Sequence, residues 1–272
     1  MRKIIPCLLF AGAAFVVFMG GEFTPSAQAD ASAVARSAQS FEDVAHPNNP
    51  VVIELFTSQG CSSCPPADLL ARRLAKDDSL LVITRPVTYW DRLGWKDTLA
   101  REGNTRLQRA YADKGHEGSG VYTPQIVVNG GGGAVGSREG DIRSLVRRAD
   151  RTGPRITAVT DASGETMVTI NGRSDYMAGV SLIALSSSET VRIGRGENGG
   201  RTMHYVNVVK DERNLGSWHG KPMTFALSPE NLKVRGADKY AIIVQRPGAG
   251  PIVAAKLLDK RDATKSSWHS VE

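Results

Sequence analysis

The chain is poor in the residues that would make a metal site, a cofactor site or a membrane span. It has three cysteines and five histidines, and no metal-ligand spacing relates the histidines. Its longest apolar run, residues 4–19, is shorter than the roughly 20 residues that cross a bilayer. We therefore expect no resident metal, no cofactor and no membrane span. The histidines are His46, His116, His204, His219 and His269.

The first 29 residues have the pattern of a secretory signal peptide. Arg2 and Lys3 precede the apolar run, and Ala27–Ala29 forms an A-x-A cleavage signal. An uncleaved anchor is the alternative, which the short run disfavours. We expect a periplasmic or secreted protein. Mild basicity, with 34 basic and 28 acidic side chains, favours anionic partners, but an exported protein meets little nucleic acid, so none is predicted as a partner.

Cleavage would remove Cys7 and leave two thiols, Cys61 and Cys64. This Cys-x-x-Cys pair follows a β-type run and precedes a predicted helix, which is the arrangement used in thiol–disulfide chemistry. If the helix begins at the cysteines, its free N–H groups and dipole would lower the pKa of Cys61. We expect Cys61 to be the accessible, attacking thiolate and Cys64 the protected, resolving thiol. Pro65 and Pro66 are tolerated in the first helical turn.

The pattern predicts two domains after a flexible lead-in at residues 30–50. The first, residues 51–152, alternates short β runs with helical spacing in the order β-α-β-α-β-β-α, which is the thioredoxin topology. The predicted strands are 51–56, 80–87, 125–129 and 134–136, and the helices are 67–75, 104–114 and 141–149.

The second predicted domain, residues 153–262, contains seven short alternating runs separated by turn residues. Such spacing is typical of an antiparallel β-sandwich, and a tail at 263–272 would follow. The seven runs are 156–161, 166–171, 180–186, 203–209, 223–227, 240–246 and 252–257.

Two segments carry a resemblance to known families. Leu55–Cys64 resembles the active-site segment of glutaredoxins, and Tyr122–Gly130, followed by Val135 and Gly136, resembles their proline strand and hairpin. Residues 54–68 and 89–95 are also similar to an uncharacterised family of bacterial secreted proteins with a thioredoxin-like domain. The resemblance covers residues 50–150 well and the β-rich half more weakly.

The resemblance implies roles for two further residues. Pro124 would form a cis peptide bond and lie against the dithiol. Thr123, which precedes it, would offer backbone groups to an extended substrate, as in β-strand addition.

Glu54 is a candidate with two interpretations. It lies seven positions before Cys61, one residue away from the place where thioredoxins carry a buried acid that handles the proton of the resolving cysteine. A partly buried carboxylate would have a raised pKa suited to proton transfer. Alternatively, Glu54 faces solvent at a sheet edge.

The aromatic and glycine-rich segments also have two interpretations each. Tyr89, Trp90 and Trp95 line a substrate groove or pack in a core. The stretch 131–136 matches a G-x-G-x-x-G pattern but lies between two strands, which favours a hairpin over a dinucleotide site.

Three functions remain open from the sequence. The first is an exported thiol–disulfide oxidoreductase acting on protein or peptide thiols and disulfides, together with a redox partner protein. The second is a soft-metal protein in which both thiolates bind an ion such as Cu(I), with a histidine or Met203. The third is a non-catalytic binding protein with a fixed Cys61–Cys64 disulfide.

Overall fold

The computed structural model describes residues 49–258. The predicted signal peptide, most of the lead-in and the tail lie outside the described residues. Eight strands form one mixed sheet in the order β11 (Ile252–Leu258), β10 (Lys239–Gln245), β7 (Ala178–Arg192), β8 (Thr202–Trp218), β2 (Leu80–Pro86), β1 (Val51–Thr57), β3 (Gln125–Val128) and β4 (Gly132–Val135). Three strands form a second sheet in the order β5 (Arg155–Thr160), β6 (Thr166–Asn171) and β9 (Met223–Leu227). Among the described residues no helix is long and apolar enough to cross a membrane.

The first half of the described chain alternates strands and helices close to the predicted bounds. Strands β1 and β2 are parallel, whereas β3 pairs antiparallel with both β1 and β4. A short 3-10 helix, Asp91–Leu93, precedes the second α-helix. The elements are β1 (Val51–Thr57), α1 (Pro65–Leu74), β2 (Leu80–Pro86), α2 (Glu102–Asp113), β3 (Gln125–Val128), β4 (Gly132–Val135) and α3 (Glu139–Arg148).

The second half contains the seven predicted strands, but two of them are much longer than their apolar cores. Strands β7 and β8 form an antiparallel hairpin of 15 and 17 residues. The ends of both strands are mostly polar and exposed or half-buried. The prediction used apolar alternation, so it located only the central segments 180–186 and 203–209. The strands are β5 (Arg155–Thr160), β6 (Thr166–Asn171), β7 (Ala178–Arg192), β8 (Thr202–Trp218), β9 (Met223–Leu227), β10 (Lys239–Gln245) and β11 (Ile252–Leu258).

Helices cover both faces of strands β1 and β3. One face of β1, with Ile53 and Leu55, packs against α1 and α3 through residues such as Leu70 and Ile142. On the other face, Tyr111 of α2 packs with Phe56 and Val127. Since side chains alternate along a strand, every residue of β1 is buried. This accounts for its nearly continuous apolar sequence.

Strands from both sides of residue 153, the predicted domain boundary, belong to one sheet. Strand β8 pairs parallel with β2 at Thr84 and Val208, which joins the two halves in one sheet. Beside this pairing, the Thr84 hydroxyl donates to Val206 O at 2.6 Å, and the Asn207 amide donates to Val82 O at 2.9 Å. The partner of an edge strand is not encoded in local periodicity, which is why the pattern of each half suggested its own sheet.

A core shared by both halves lies on one face of the joined sheet. It contains Val52 and Ile83 from the first half and Ile183 and Ile243 from the second. The last strand, β11, also contacts the first half: Ile252 N–H donates to Asn129 O at 2.8 Å. The halves therefore share buried apolar surface as well as hydrogen bonds.

In the second half, a small three-stranded sheet packs against part of the large mixed sheet. The sheet β5-β6-β9 packs against β7, β10 and β11, and a buried core lies between them. The largest buried side chain of this core is Trp218, whose indole N–H donates to Lys221 O at 2.7 Å. The three-stranded sheet therefore packs on strands that belong to the same sheet as β1 and β2.

Candidate dithiol site

Cys61 and Cys64 form a disulfide in the loop between β1 and α1. Cys64 is the N-cap of α1, and its carbonyl accepts from the N–H groups of Ala67 and Asp68. The helix therefore begins after both cysteines, not at them, and Cys61 lies one turn before it. The first two helical positions are prolines, which lack an N–H group. The helix start thus gives Cys61 less stabilisation than the sequence suggested.

Both cysteines are fully buried, with 0% of either residue exposed, although Ser62 and Ser63 between them are exposed. The expectation that Cys61 is accessible is wrong for the disulfide form. The hydroxyl of Ser63 lies 3.3 Å from Cys61 Sγ. A thiol that attacks this disulfide must first gain access to it.

A loop from the second half contacts residues 58–64, between β1 and α1, which we call the dithiol loop. We call residues 193–201, the tip of the β7–β8 hairpin, the dithiol cap. The Asn198 side-chain amide donates to the carbonyls of Gln59 and Cys61, each at 2.9 Å, and a Glu197 carboxylate oxygen accepts from Ser62 N–H at 3.1 Å. Nothing in the sequence pattern marks these contacts, because the partners are more than 130 residues apart.

Pro124 lies beside the first turn of α1. The Thr123–Pro124 peptide bond is cis, as the resemblance implied. Gly136 N–H donates to Pro124 O at 2.9 Å. A Cβ atom at Gly136 would lie 3.0 Å from Pro124 Cβ and 3.1 Å from both Ala67 Cβ and Leu55 Cδ1. Glycine at position 136 therefore allows the proline strand to pack against the helix that follows the cysteines.

Glu54 belongs to a different part of the structure. It is 1% exposed, so the interpretation as a solvent-facing residue is wrong. Its carboxylate accepts from Arg85 Nε at 2.6 Å and from the Tyr111 hydroxyl at 2.5 Å. Strand alternation places it on the face that packs against α2, opposite the face that packs against α1. It is the ion-pair partner of a buried cation, Arg85.

Arg85 connects Glu54 to the second half of the chain. Its Nη1 donates to Glu212 on β8 at 2.8 Å. Burial alone would lower the pKa of Arg85, but the carboxylates of Glu212 and Glu54 raise it above its ordinary value. Burial and the charge of Glu54 raise the pKa of Tyr111 as well. Arg85 thus remains charged and bridges two strands that are not neighbours in sequence.

The buried acid on the dithiol side is Asp68, which the sequence analysis missed. It lies four residues after Cys64, is 3% exposed and accepts from the Thr57 hydroxyl at 2.8 Å. Its second oxygen, Oδ2, has no hydrogen-bond partner among the described residues. Burial raises the pKa of Asp68 well above its ordinary value; Thr57 opposes this shift and Asp97 adds to it. The signal in the sequence was its position on the buried face of α1.

Two further groups accompany Asp68. Asp97, which accepts from Gln59 N–H at 2.8 Å, has a pKa raised by burial. The Tyr205 hydroxyl, buried without a hydrogen-bond partner among the described residues, has its pKa raised by burial and by the charges of Asp68 and Asp97. Three titratable groups therefore converge near the base of the dithiol loop.

The aromatic residues near the loop pack against protein. Tyr89 and Trp90 adjoin the core around Phe56. The indole N–H of Trp95 donates to Gln59 Oε1 at 2.8 Å, and its ring lies under the cap. These contacts agree with the interpretation that Tyr89, Trp90 and Trp95 pack in the protein core.

Thr123 is the other predicted site residue in this region. Its hydroxyl is buried and has no hydrogen-bond partner among the described residues.

Under the soft-metal hypothesis, a histidine or Met203 would bind the ion together with Cys61 and Cys64, but the described residues show no such arrangement. Within residues 49–258, no group of three or more His, Cys, Asp and Glu side chains is arranged to hold an ion. Met203 is buried in the apolar cluster below the hairpin tip, with Ile193 and Tyr205. His204 Nδ1 lies 3.0 Å from the Thr190 hydroxyl on the exposed side of the hairpin.

The comparisons with known proteins identify a family. The family described as Protein of unknown function (DUF1223) matches residues 52–245, more than half of the chain. The chain belongs to this family. The DUF1223 match runs from β1 to the end of β10, so it includes both cysteines, Pro124 and the dithiol cap. It also extends well past residue 153, in agreement with a sheet that joins both halves.

Two solved structures are similar to this DUF1223 protein. Protein AGR_C_4864 from Agrobacterium tumefaciens is 28% identical, with a TM-score of 0.66, and the match covers 82% of this chain and 97% of that one. HBP35 of Porphyromonas gingivalis is 12% identical, with a TM-score of 0.48 and coverage of 84% and 80%. No curated protein matches the chain.

Proposed function

We propose that the protein is an exported thiol–disulfide oxidoreductase that acts on protein or peptide substrates through Cys61 and Cys64. The observation that carries the proposal is the placement of the disulfide immediately before α1, with Pro124 packed beside the first turn of that helix across Gly136. The sheet order β2-β1-β3-β4, with helices on both faces, supports a thioredoxin-like unit. An oxidising compartment outside the cytosol is where such a disulfide persists.

The exchange reaction uses the two sulfurs in sequence. A substrate thiolate attacks Cys61 Sγ, a mixed disulfide forms, and the Cys61–Cys64 bond breaks. Cys64 leaves as a thiolate and takes up a proton. The second substrate thiolate then attacks the substrate sulfur of the mixed disulfide and expels Cys61. The substrate is oxidised to a disulfide and the protein is reduced to a dithiol; the reverse sequence reduces a substrate disulfide.

Asp68 is the group best placed to handle the proton of Cys64. It follows Cys64 by one helical turn, and its Oδ2 is not engaged by a donor among the described residues. Burial raises the pKa of the Asp68 carboxyl well above its ordinary value, so this group holds a proton at a higher pH than an exposed aspartate does. In this proposal Asp68 takes the role that the sequence analysis gave to Glu54.

A second candidate function is a binding protein whose disulfide is fixed. The complete burial of both cysteines favours it, because structural disulfides are protected from attack. In that case the cap would be a permanent part of the structure. The two functions differ in whether the disulfide exchanges with an external thiol.

Trapping of a mixed disulfide tests the proposed function. A Cys64→Ala variant is incubated with a peptide dimer whose two chains, each with one cysteine, are joined by a single disulfide, and the adduct is located by mass spectrometry. We expect a stable adduct at Cys61, because the released peptide diffuses away and neither the protein nor the bound peptide then supplies a neighbouring thiol to break the mixed disulfide. Cys61→Ala should give no adduct, and Ser62→Ala should leave wild-type exchange intact. The absence of an adduct in Cys64→Ala would contradict the proposal.

A further inference from the structure

The dithiol cap is fixed to the dithiol loop by one buried side chain. Asn198 is 1% exposed, and its amide nitrogen donates to two carbonyls, those of Gln59 and Cys61. Arg201 Nη1 donates to Asn198 Oδ1 at 3.2 Å. Because a cation holds the oxygen and two carbonyls accept from the nitrogen, the orientation of the amide is determined by its partners.

The base of the cap packs on the segment that follows β2. A Cβ atom at Gly194 would lie 2.9 Å from the Trp95 ring, and one at Gly196 would lie 3.4 Å from Trp95 Cβ. Trp95 in turn donates to the Gln59 side chain, which precedes the dithiol by two residues. The cap therefore contacts the dithiol loop both directly and through Trp95.

At its exposed edge the cap makes one weaker contact. Glu197 Oε2 accepts from Ser62 N–H at 3.1 Å, and both residues are exposed to solvent. Arg195 and Arg201 flank this carboxylate in sequence. This contact can exchange with water, so the buried amide of Asn198 is the group that has to be displaced for the cap to open.

We propose that Asn198 latches the cap over the disulfide and thereby determines which thiols reach Cys61. The inference rests on the proposed function. Both cysteines are fully buried, and a thiol on a protein approaches together with the protein surface around it. A small dithiol requires only a narrow opening, whereas a protein substrate requires the cap to be displaced. Asn198 is thus a specificity-determining residue that acts by access, and it takes no part in bond making.

The expected change in exchange rate follows from the two hydrogen bonds that the Asn198 amide donates to Gln59 and Cys61. Loss of one hydrogen bond of this kind changes an equilibrium by roughly 2- to 12-fold, so loss of both should raise the open fraction roughly 5- to 100-fold. The rate of exchange with a protein thiol should increase by a similar factor, since it depends on the open form. The rate with a small dithiol should change much less.

The experiment compares two reductants on the full-length protein. The disulfide is reduced with dithiothreitol and, separately, with a reduced dithiol protein of about 100 residues, and thiol release is followed in wild type, Asn198→Ala and the control Asn171→Ala. Asn171 is exposed at the end of β6, in the three-stranded sheet, which does not contain the strands of the dithiol loop or of the cap. We expect Asn198→Ala to accelerate the protein reductant roughly 5- to 100-fold and dithiothreitol by less than about threefold, with Asn171→Ala equal to wild type.

A second variant guards against misfolding of the first. Glu197→Ala removes only the exposed contact, which water can replace, and should show the same preference for the protein reductant on a smaller scale, about 2-fold at most. Equal acceleration of both reductants, or no acceleration in either variant, would overturn the latch while leaving the exchange reaction intact. Failure of every form to react with both reductants, together with no trapped adduct in Cys64→Ala, would overturn the proposed function itself.

Discussion

The side-chain amide of Asn198 donates to the backbone carbonyl of Cys61 across 137 residues of sequence. The dithiol loop of the first half is therefore held by a residue of the second half. The pairing of β2 with β8 at Val208, six residues after the start of β8, brings the part of the hairpin nearer its tip alongside the strands that precede the dithiol loop.

Removal of the second half should unfold the first. A fragment ending at Thr152 would lose β8, which pairs with β2, and would expose Val52, Leu81 and Ile83 of the shared core. Exposed apolar surface of this kind favours aggregation. We expect the fragment to be insoluble or to lack a cooperative thermal transition by circular dichroism. A soluble fragment with a sharp transition would show that the halves fold independently.

Glu54→Gln should reduce stability without altering the dithiol. The substitution removes a buried carboxylate from Arg85, which is 2% exposed, and leaves only Glu212 as a counter-charge. Breaking one side of a buried ion pair typically costs about 3–5 kcal/mol. We expect a loss of that order in the free energy of unfolding in urea, and an unchanged pH profile of thiol exchange. A shifted pH profile of thiol exchange with an unchanged free energy of unfolding would show that Glu54 acts in the chemistry of the dithiol.

Asp68→Asn should change the pH dependence of stability. The carboxyl of Asp68 has a raised pKa in the folded protein, mainly from burial, against about 3.9 in the unfolded chain. Its stabilising contribution is therefore complete below pH 3.9 and is lost as the pH rises through the raised folded pKa. We expect the wild type to lose stability relative to Asp68→Asn across this interval, measured by urea unfolding at successive pH values. Parallel curves would contradict the assignment.

The same variant tests the proton role in exchange. If Asp68 handles the proton of Cys64, Asp68→Asn should slow resolution of the mixed disulfide and flatten its pH profile. Stopped-flow measurement of peptide release gives this rate. A wild-type profile in Asp68→Asn would restrict Asp68 to a structural role.

Gly136→Ala should disturb the contact between the proline strand and α1. The added methyl group would lie 3.0–3.1 Å from three side chains, which is closer than ordinary packing. Overpacking of this kind typically costs about 1–3 kcal/mol. Gly140→Ala is the matched control, because a Cβ atom at this position of helix α3 would have no neighbour within 4 Å. Since alanine favours a helix more than glycine does, this substitution should stabilise the protein by up to about 1 kcal/mol. Equal melting temperatures for the two variants would contradict the packing described for Gly136.

The sequence predicted the positions of the strands and helices better than it predicted which strands pair with each other. Local periodicity located β1, α1 and β3 within a few residues, and the motif residues Cys61, Cys64 and Pro124 lie in one region of the fold. Periodicity carries no information on which strands pair across the two halves, so β2–β8 was missed. Asn198 and Glu197 were missed for the same reason: a polar loop between two strands reveals its contacts only in three dimensions.

Glu54 illustrates a different limit. A charged residue in an apolar strand signals a buried partner, but the sequence does not say which one. The resemblance suggested the resolving cysteine, whereas the structure supplies Arg85. The carboxyl that is buried on the dithiol side is Asp68, and its position on the buried face of α1 was the available signal.

The equilibrium reduction potential of the Cys61–Cys64 disulfide tests the central claim most directly. The protein is equilibrated in buffers of defined dithiol and disulfide ratio, quenched by alkylation and quantified by mass spectrometry, with Cys61→Ala as the blank. An exchanging dithiol should have a potential above about −300 mV, within the range of known oxidoreductases. A potential below about −300 mV, with no reduction by glutathione, would show a structural disulfide and contradict the account.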